Sequence, residues 1–230
     1  MREKPASVPL SITSYLFGGS CFLCRGAART LLCVQCDAEL PRLEHELCPR
    51  CALASPGGAI CGRCLTQSPA YDATHAALSY DFPADALVHA LKFRGELALA
   101  ALLAGLLAPK VRSARIDHVV PVPLSAERLK RRGYNQAVEI ARHLRSDALE
   151  LSMCQRTRDA PPQIELPYGE RQRNVRGAFR CTRALNGARI AVVDDVMTTG
   201  ATLDEIARTL KAAGAAHVEN WVVARTLPHA

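Results

Sequence analysis

An apolar run, a helical stripe and a second strand-like segment dominate the C-terminal third of the chain. Ile190, Ala191, Val192 and Val193 form a short continuous run, the pattern of a strand buried on both faces. Leu203, Ile206, Ala207 and Leu210 then recur at the spacing of one helix face, and Gly214 supplies the stop. Val218 to Ala224 then returns as a second strand. Strand, helix and strand in that order predict a βαβ unit with a right-handed crossover, and so a parallel sheet covered on both faces. Upstream, 116–124 reads as a strand that exits at Pro121 and Pro123, since proline cannot donate to a ladder. Leu87 and Leu91, one turn apart, predict a helix over 81–108 that ends at Pro109. A further helix is predicted over 125–146, capped by Ser125 and divisible at Gly133, with a short strand over 151–157. The stretch 158–176 is polar, contains Pro161, Pro162 and Pro167, and lacks any period, which predicts a mobile loop.

The first third follows no such pattern. Eight of the ten cysteines fall into four Cys-x-x-Cys pairs, Cys21/Cys24, Cys33/Cys36, Cys48/Cys51 and Cys61/Cys64; Cys154 and Cys181 stand alone. A secreted disulfide scaffold scatters its cysteines, whereas two-residue spacing lets both thiolates of a tight turn face one tetrahedral ion at about 2.3 Å. Four consecutive pairs therefore predict two structural Zn²⁺ sites. The spacers are eight, eleven and nine residues. Sequential pairing closes the shorter loops and is favoured on entropy, with interleaved pairing as the alternative. Large apolar residues are few here, so metal binding has to supply the folding energy.

The chain has 230 residues, 49% of them apolar and 22% charged, a composition that excludes disordered and collagenous classes. The formal charge is +7. Two zinc ions with four thiolates each would bring it to about +3, so net charge alone argues little for nucleic acid. Its distribution argues more. The first 72 residues are close to balanced, and the excess gathers at Arg128, Lys130, Arg131 and Arg132 and again at Arg171, Arg173, Arg176 and Arg180. The longest apolar run, 97–108, is too short for a bilayer. No cleavable leader follows from the N-terminus, where Ser, Thr and Pro interrupt the apolar residues after Arg2 and Lys4. The expected location is cytoplasmic.

Chemistry concentrates after the run 190–193. Asp194 and Asp195 stand at the predicted strand end, followed by Thr198, Thr199, Gly200, Ala201 and Thr202 at the entrance of the predicted helix. Ligands of open parallel sheets bind beyond the carboxyl ends of the strands. A glycine-containing turn entering a helix offers unsatisfied N–H groups and partial positive charge to a phosphate. Paired carboxylates suit vicinal sugar hydroxyls and a divalent cation. Together they describe a ribose-phosphate site.

The segment IAVVDDVMTTGATL at 190–203 resembles the phosphoribosyl pyrophosphate (PRPP) motif of type I phosphoribosyltransferases. Nearly the whole chain resembles the bacterial ComF/GntX family. The likeness rests on the cysteine pairs, ALKFRG at 90–95, VPVPL at 120–124, RLKRRGYNQ at 128–136 and RQRNVRGAF at 171–179. It implies an α/β fold, a Rossmann-like parallel sheet at 73–230 preceded by a double zinc-ribbon module at 1–72. It further implies that Asp194 and Asp195 take the ribose hydroxyls, that 198–202 take the 5′-phosphate, and that Leu124 and Ser125 lie near the pyrophosphate. Mg²⁺ would accompany PRPP. Arg171, Arg173 and Arg176 are candidates to close over the leaving group, and Arg132 to wall the cleft; each is equally readable as a solvated charge. Thr198 stands where 6-oxopurine salvage enzymes resemble one another in having a carboxylate, which argues against hypoxanthine or guanine as acceptor.

Two functional classes follow from the resemblance. One is a PRPP-binding protein of DNA uptake, handling incoming single-stranded DNA with DNA-uptake proteins as partners, and with Arg128, Lys130, Arg131, Arg132, Arg171 and Arg176 as candidate DNA contacts. The other is a phosphoribosyltransferase that moves 5-phosphoribose to an unidentified acceptor. Aromatic platforms for bases are few, since Phe, Trp and Tyr make up 5% of the chain.

Overall fold

In the computed structural model, residues 19–43, 46–144, 146–158 and 175–228 are described. The chain divides into two compact units, Met1–Leu40 and Pro41–Ala230. In the first, strands β1 (Gly19–Ser20) and β2 (Ala27–Ala28) pair antiparallel and helix α1 (Val34–Ala38) follows. A tight turn closes the first cysteine pair, with Cys21 N–H donating to Gly26 O at 2.7 Å and Arg25 N–H to Cys21 O at 3.0 Å. The second cysteine group falls in the larger unit, where α2 (Gly62–Thr66) carries its last pair.

The larger unit is organised by a four-stranded parallel sheet in the order β3 (Ala73–Ser79), β8 (His217–Arg225), β7 (Arg189–Met197), β4 (His118–Pro121). The central strands β7 and β8 contain the apolar run 190–193 and the second predicted strand, and Ile190, Val192, Val193, Trp221, Val222 and Val223 are fully buried. Side chains alternate across a strand. Ile190 and Val192 therefore share one face, where they cluster with Val218, Val222 and with Leu203, Ile206 and Leu210 of α7 (Ala201–Ala212). Cys48, Cys51 and Cys64 belong to that same apolar cluster. The other face of the sheet meets α4 (Ala98–Val111) and α6 (Gln136–Leu144).

Several boundaries differ from the sequence reading, each for a local reason. The helix expected over 81–108 is two helices, α3 (Ala84–Phe93) and α4, because Gly95 adopts a left-handed φ of 72°. Pro109 lies inside α4 instead of ending it. In the last turn it forfeits a single helical bond, which the buried stripe of Leu99, Leu103 and Leu107 outweighs. The expected strand over 116–124 shortens to β4, and the expected helix over 125–146 divides at Gly133 (φ 83°) into α5 (Ala126–Arg132) and α6. Strand β7 runs on to Met197, so the two aspartates sit within the ladder and not past its end, with Asp194 opposite Val222. Strand β3, absent from the sequence reading, holds one large apolar residue, Leu78, and owes its place to pairing with β8. Strands β5 (Cys154–Arg156) and β6 (Phe179–Cys181) form an antiparallel ribbon. Most of the predicted loop, with Arg171 and Arg173, lies outside the described residues.

Candidate functional site

The turn between β7 and α7 is shaped by Gly200. Its φ of 84° is left-handed, and a Cβ there would lie 2.7 Å from Met197 Cε and 3.1 Å from the Tyr71 hydroxyl, so glycine alone fits without displacement. Ala201 N–H points back to Thr199 Oγ1 at 3.3 Å. Around this turn lies a shallow, open hollow lined by Asp194 and by the residues from Val196 to Leu203. Asp194, Thr198, Thr199, Gly200, Ala201 and Thr202 are thus brought together at one concave surface beside a helix entrance. Leu124 and Ser125 are not among its lining residues. Ser125 is buried and caps α5, its hydroxyl accepting from Arg128 N–H at 3.3 Å.

The two aspartates have opposite surroundings, as neighbours on a strand must. Asp195 is 2% exposed and turns away from the hollow. Its Oδ2 accepts from Lys92 Nζ at 2.9 Å and its Oδ1 from Gln136 Nε2 at 3.4 Å. Gln136 in turn accepts from Arg132, whose guanidinium lies over the Phe93 ring at 5.3 Å from its centroid. Burial opposes ionisation of Asp195, yet the Lys92 ammonium and the hydrogen bonds from Asp194, Lys92 and Gln136 hold its carboxyl below the usual range. Burial and the neighbouring Asp195 charge push Asp194 well above that range. The two carboxyls therefore oppose one another's ionisation, and Lys92 favours the charge on Asp195.

Lys92 and Gln136 carry roles that no pattern in the chain assigned to them. Both lie inside segments that carried the family resemblance, ALKFRG and RLKRRGYNQ, which was the available signal. Tyr134 of the second segment donates to Leu91 O, and Asn135 Nδ2 to Val122 O at 2.9 Å, so this segment joins α3 to the loop after β4. Lys130 and Arg131 are exposed on α5, and Arg128 and Arg132 are half-buried. The carbonyl of Arg176 accepts from Arg158 Nη2 at 2.9 Å.

The cysteines gather in sequential groups, Cys21, Cys24, Cys33 and Cys36 in one and Cys48, Cys51, Cys61 and Cys64 in the other, with the ligand atoms of each within 4.8 Å of one another. Sγ–Sγ distances are 3.7 Å for Cys24 and Cys33 and 3.6 Å for Cys51 and Cys61. Arms of about 2.3 Å in a tetrahedron give edges of about 3.8 Å, so the donor sets fit Zn²⁺. Their acidities agree. Burial raises Cys36 to about 12, reinforced by the other thiols, while backbone N–H groups of Cys24, Cys33 and Leu23 overcome burial and bring Cys21 to about 6. Burial likewise drives Cys51 up to about 11, while N–H groups of Cys61, Cys51 and Arg50 overcome it at Cys48 and bring that thiol to about 7. Without a cation each group can hold little negative charge; a divalent ion lets all four ionise.

Residues 12–65 match the double zinc ribbon domain family, and residues 96–227 match the phosphoribosyl transferase domain family. A DNA utilization protein YhgH from Salmonella typhimurium is 36% identical over 223 residues, covering 91% of this chain and 98% of that protein. Competence protein F of Haemophilus influenzae is 32% identical over 227 residues, covering 91% and 98%. Competence protein ComFC of Streptococcus pneumoniae is 27% identical over 203 residues, covering 84% and 87%. The transferase match takes in more than half of the chain and the relatives align almost end to end, so this chain belongs to the ComF/GntX family of phosphoribosyltransferase-fold proteins with an N-terminal double zinc ribbon.

Proposed function

We propose that the protein binds PRPP with Mg²⁺ in the hollow beside α7 and serves the handling of single-stranded DNA during uptake, on the cytoplasmic side of the membrane. The observation that carries the ligand is Asp194 sharing a concave surface with the turn 198–202. A 5′-phosphate on the N–H groups of that turn and ribose hydroxyls on Asp194 account for both features. Mg²⁺ is commonly held by one or two carboxylates plus substrate phosphates, and Asp194 is the carboxylate that faces the ligand. Asp195 acts from behind, fixing Lys92 and, through Gln136, Arg132.

Isothermal titration with PRPP and Mg²⁺ tests this directly. Asp194→Ala is expected to weaken binding at least roughly tenfold, through loss of the carboxyl that faces the ligand hydroxyls. Equal affinity in wild type and variant removes Asp194 from the site. Pyrophosphate release in the presence of candidate acceptors would identify turnover, and binding without release would favour PRPP as a ligand or signal.

The DNA role rests on what the relatives are named and on a basic surface with one exposed platform. Phe93 is 56% exposed beneath the Arg132 guanidinium, and Lys130 and Arg131 are exposed on α5 nearby in sequence. Among the described residues no helix is long and apolar enough to cross a membrane. With so few aromatics, binding to single-stranded DNA is expected to be weak and to fall steeply as salt rises. Phe93→Ala should weaken it roughly fivefold or more, since stacking contributes about 1–3 kcal/mol per base. Salt-independent affinity measured by fluorescence anisotropy would contradict this surface.

A further inference from the structure

The second cysteine group does more than fold its own loop, because two arginines connect it to the turn at the hollow. Arg63 stands between the ligand cysteines Cys61 and Cys64, and its Nη2 donates to the carbonyl of Thr199 at 2.9 Å. Arg225, at the end of β8, is 1% exposed. Its Nε donates to Cys51 O at 2.9 Å, and its Nη1 donates to Met197 O at 2.9 Å, to Thr198 O and to Thr226 O at 2.7 Å. A third tie fixes the connection from the other side, where Ala70 N–H donates to Asp204 Oδ1 at 2.6 Å in the first turn of α7.

Three successive carbonyls, those of Met197, Thr198 and Thr199, are therefore held by guanidinium groups. A trans peptide is planar, with its N–H antiparallel to its C=O. Holding these carbonyls toward the arginines turns the N–H groups of Thr198, Thr199 and Gly200 the opposite way. Neither arginine lines the hollow, whereas all three of these residues do. A cation on a carbonyl also polarises its peptide, which makes the N–H on the far side a better donor.

We infer that Arg63 and Arg225 are positioning residues that link the second Cys₄ centre to the phosphate-binding turn and aim its peptide N–H groups at the ligand phosphate. Affinity for a phosphate-bearing ligand thereby depends on the integrity of a metal centre that the ligand does not touch. The inference rests on the reading of the hollow as a ribose-phosphate site.

Arg63 is exposed and is the variant of choice, because its replacement removes no core volume. Full-length wild type, Arg63→Ala and Arg63→Lys are compared by elemental analysis for zinc, by titration with ribose 5-phosphate and with PRPP and Mg²⁺, and by ¹H–¹⁵N spectra of the Gly200 amide. Arg63→Ala is expected to retain its zinc, to bind both ligands roughly tenfold more weakly, and to shift the Gly200 amide proton upfield, since that N–H shares a peptide with the released carbonyl. Arg63→Lys, which still offers a cationic donor, should recover part of the affinity and of the shift. Equal affinity of wild type and Arg63→Ala, with an unshifted Gly200 amide, overturns this inference alone. If the wild type binds neither ligand, the reading of the hollow fails and the inference with it.

Discussion

Cys64→Ser is expected to lower the zinc content from about two ions to about one per chain and to unfold much of the 41–230 unit, whereas Cys33→Ser should lose one zinc and leave the main melting transition in place. The difference comes from where each group sits. Cys48, Cys51 and Cys64 are buried in the same apolar cluster as Val192, Val222, Leu203 and Leu210, and the group lies within the compact unit that contains the sheet. The first group lies within residues 1–40, which form a compact unit of their own. Structural zinc contributes about 10–16 kcal/mol in small zinc peptides, and a domain's net stability is about 5–15 kcal/mol. Losing a ligand from an embedded site therefore removes a share comparable with the whole. Differential scanning calorimetry with parallel metal analysis checks this, and identical melting curves for the two variants would show that the second centre is no part of the main fold.

Lys92→Met should destabilise the protein by about 3–5 kcal/mol, because it strands a buried carboxylate. Asp195 is 2% exposed and Lys92 Nζ lies 2.9 Å from it, with Gln136 Nε2 as its further donor at 3.4 Å. Removing one partner of such a pair costs more than removing both, so Lys92→Met combined with Asp195→Asn should regain most of the loss. The pH dependence distinguishes charge from packing. Asp195 is held below the ordinary carboxylate value of 3.8 chiefly by Lys92 working against burial. A depressed folded pKa contributes stability that is present above the unfolded value and is lost as pH falls through the folded one. Wild type should lose this contribution under acid conditions, and the double variant, lacking the carboxylate, should show a shallower acid limb in urea titrations. A single variant as stable as wild type would mean that Asp195 is neutral in the native protein.

The legible parts of the fold were those in which the sequence pattern is also the cause. The apolar run of β7, the apolar residues Val218 and Trp221 to Ala224 of β8 and the stripe Leu203, Ile206, Ala207 and Leu210 became strand, strand and helix because burying them drives the packing. Cysteine spacing was legible for a similar reason, since Cys-x-x-Cys is the local geometry of a tetrahedral ligand pair, and the favoured sequential grouping is the one observed. Strand β3 was illegible because Ala73, Ala76 and Ala77 are too small to produce a periodic signal; its hydrogen-bond partner, β8, lies far along the chain. The site was half legible. The turn 198–202 and Asp194 meet at one hollow, yet the pattern Asp194-Asp195 read as two equivalent acids, although period-two alternation sends them to opposite faces of the sheet.

Local residue order sets which chemistries the chain contains: two tetrahedral thiolate sets, a βαβ unit, and a glycine-bearing turn at a helix entrance. These depend on residues close together in the chain, so local geometry suffices to define them. The tertiary structure alone decided how they are joined. Lys92 meets Asp195 from 103 residues away, Arg63 meets the Thr199 carbonyl from 136 residues away, and Arg225 meets Cys51 from 174. No periodicity encodes such pairings, because they arise only after the sheet has been assembled and buried charges and carbonyls must find partners in whatever surface the packing presents.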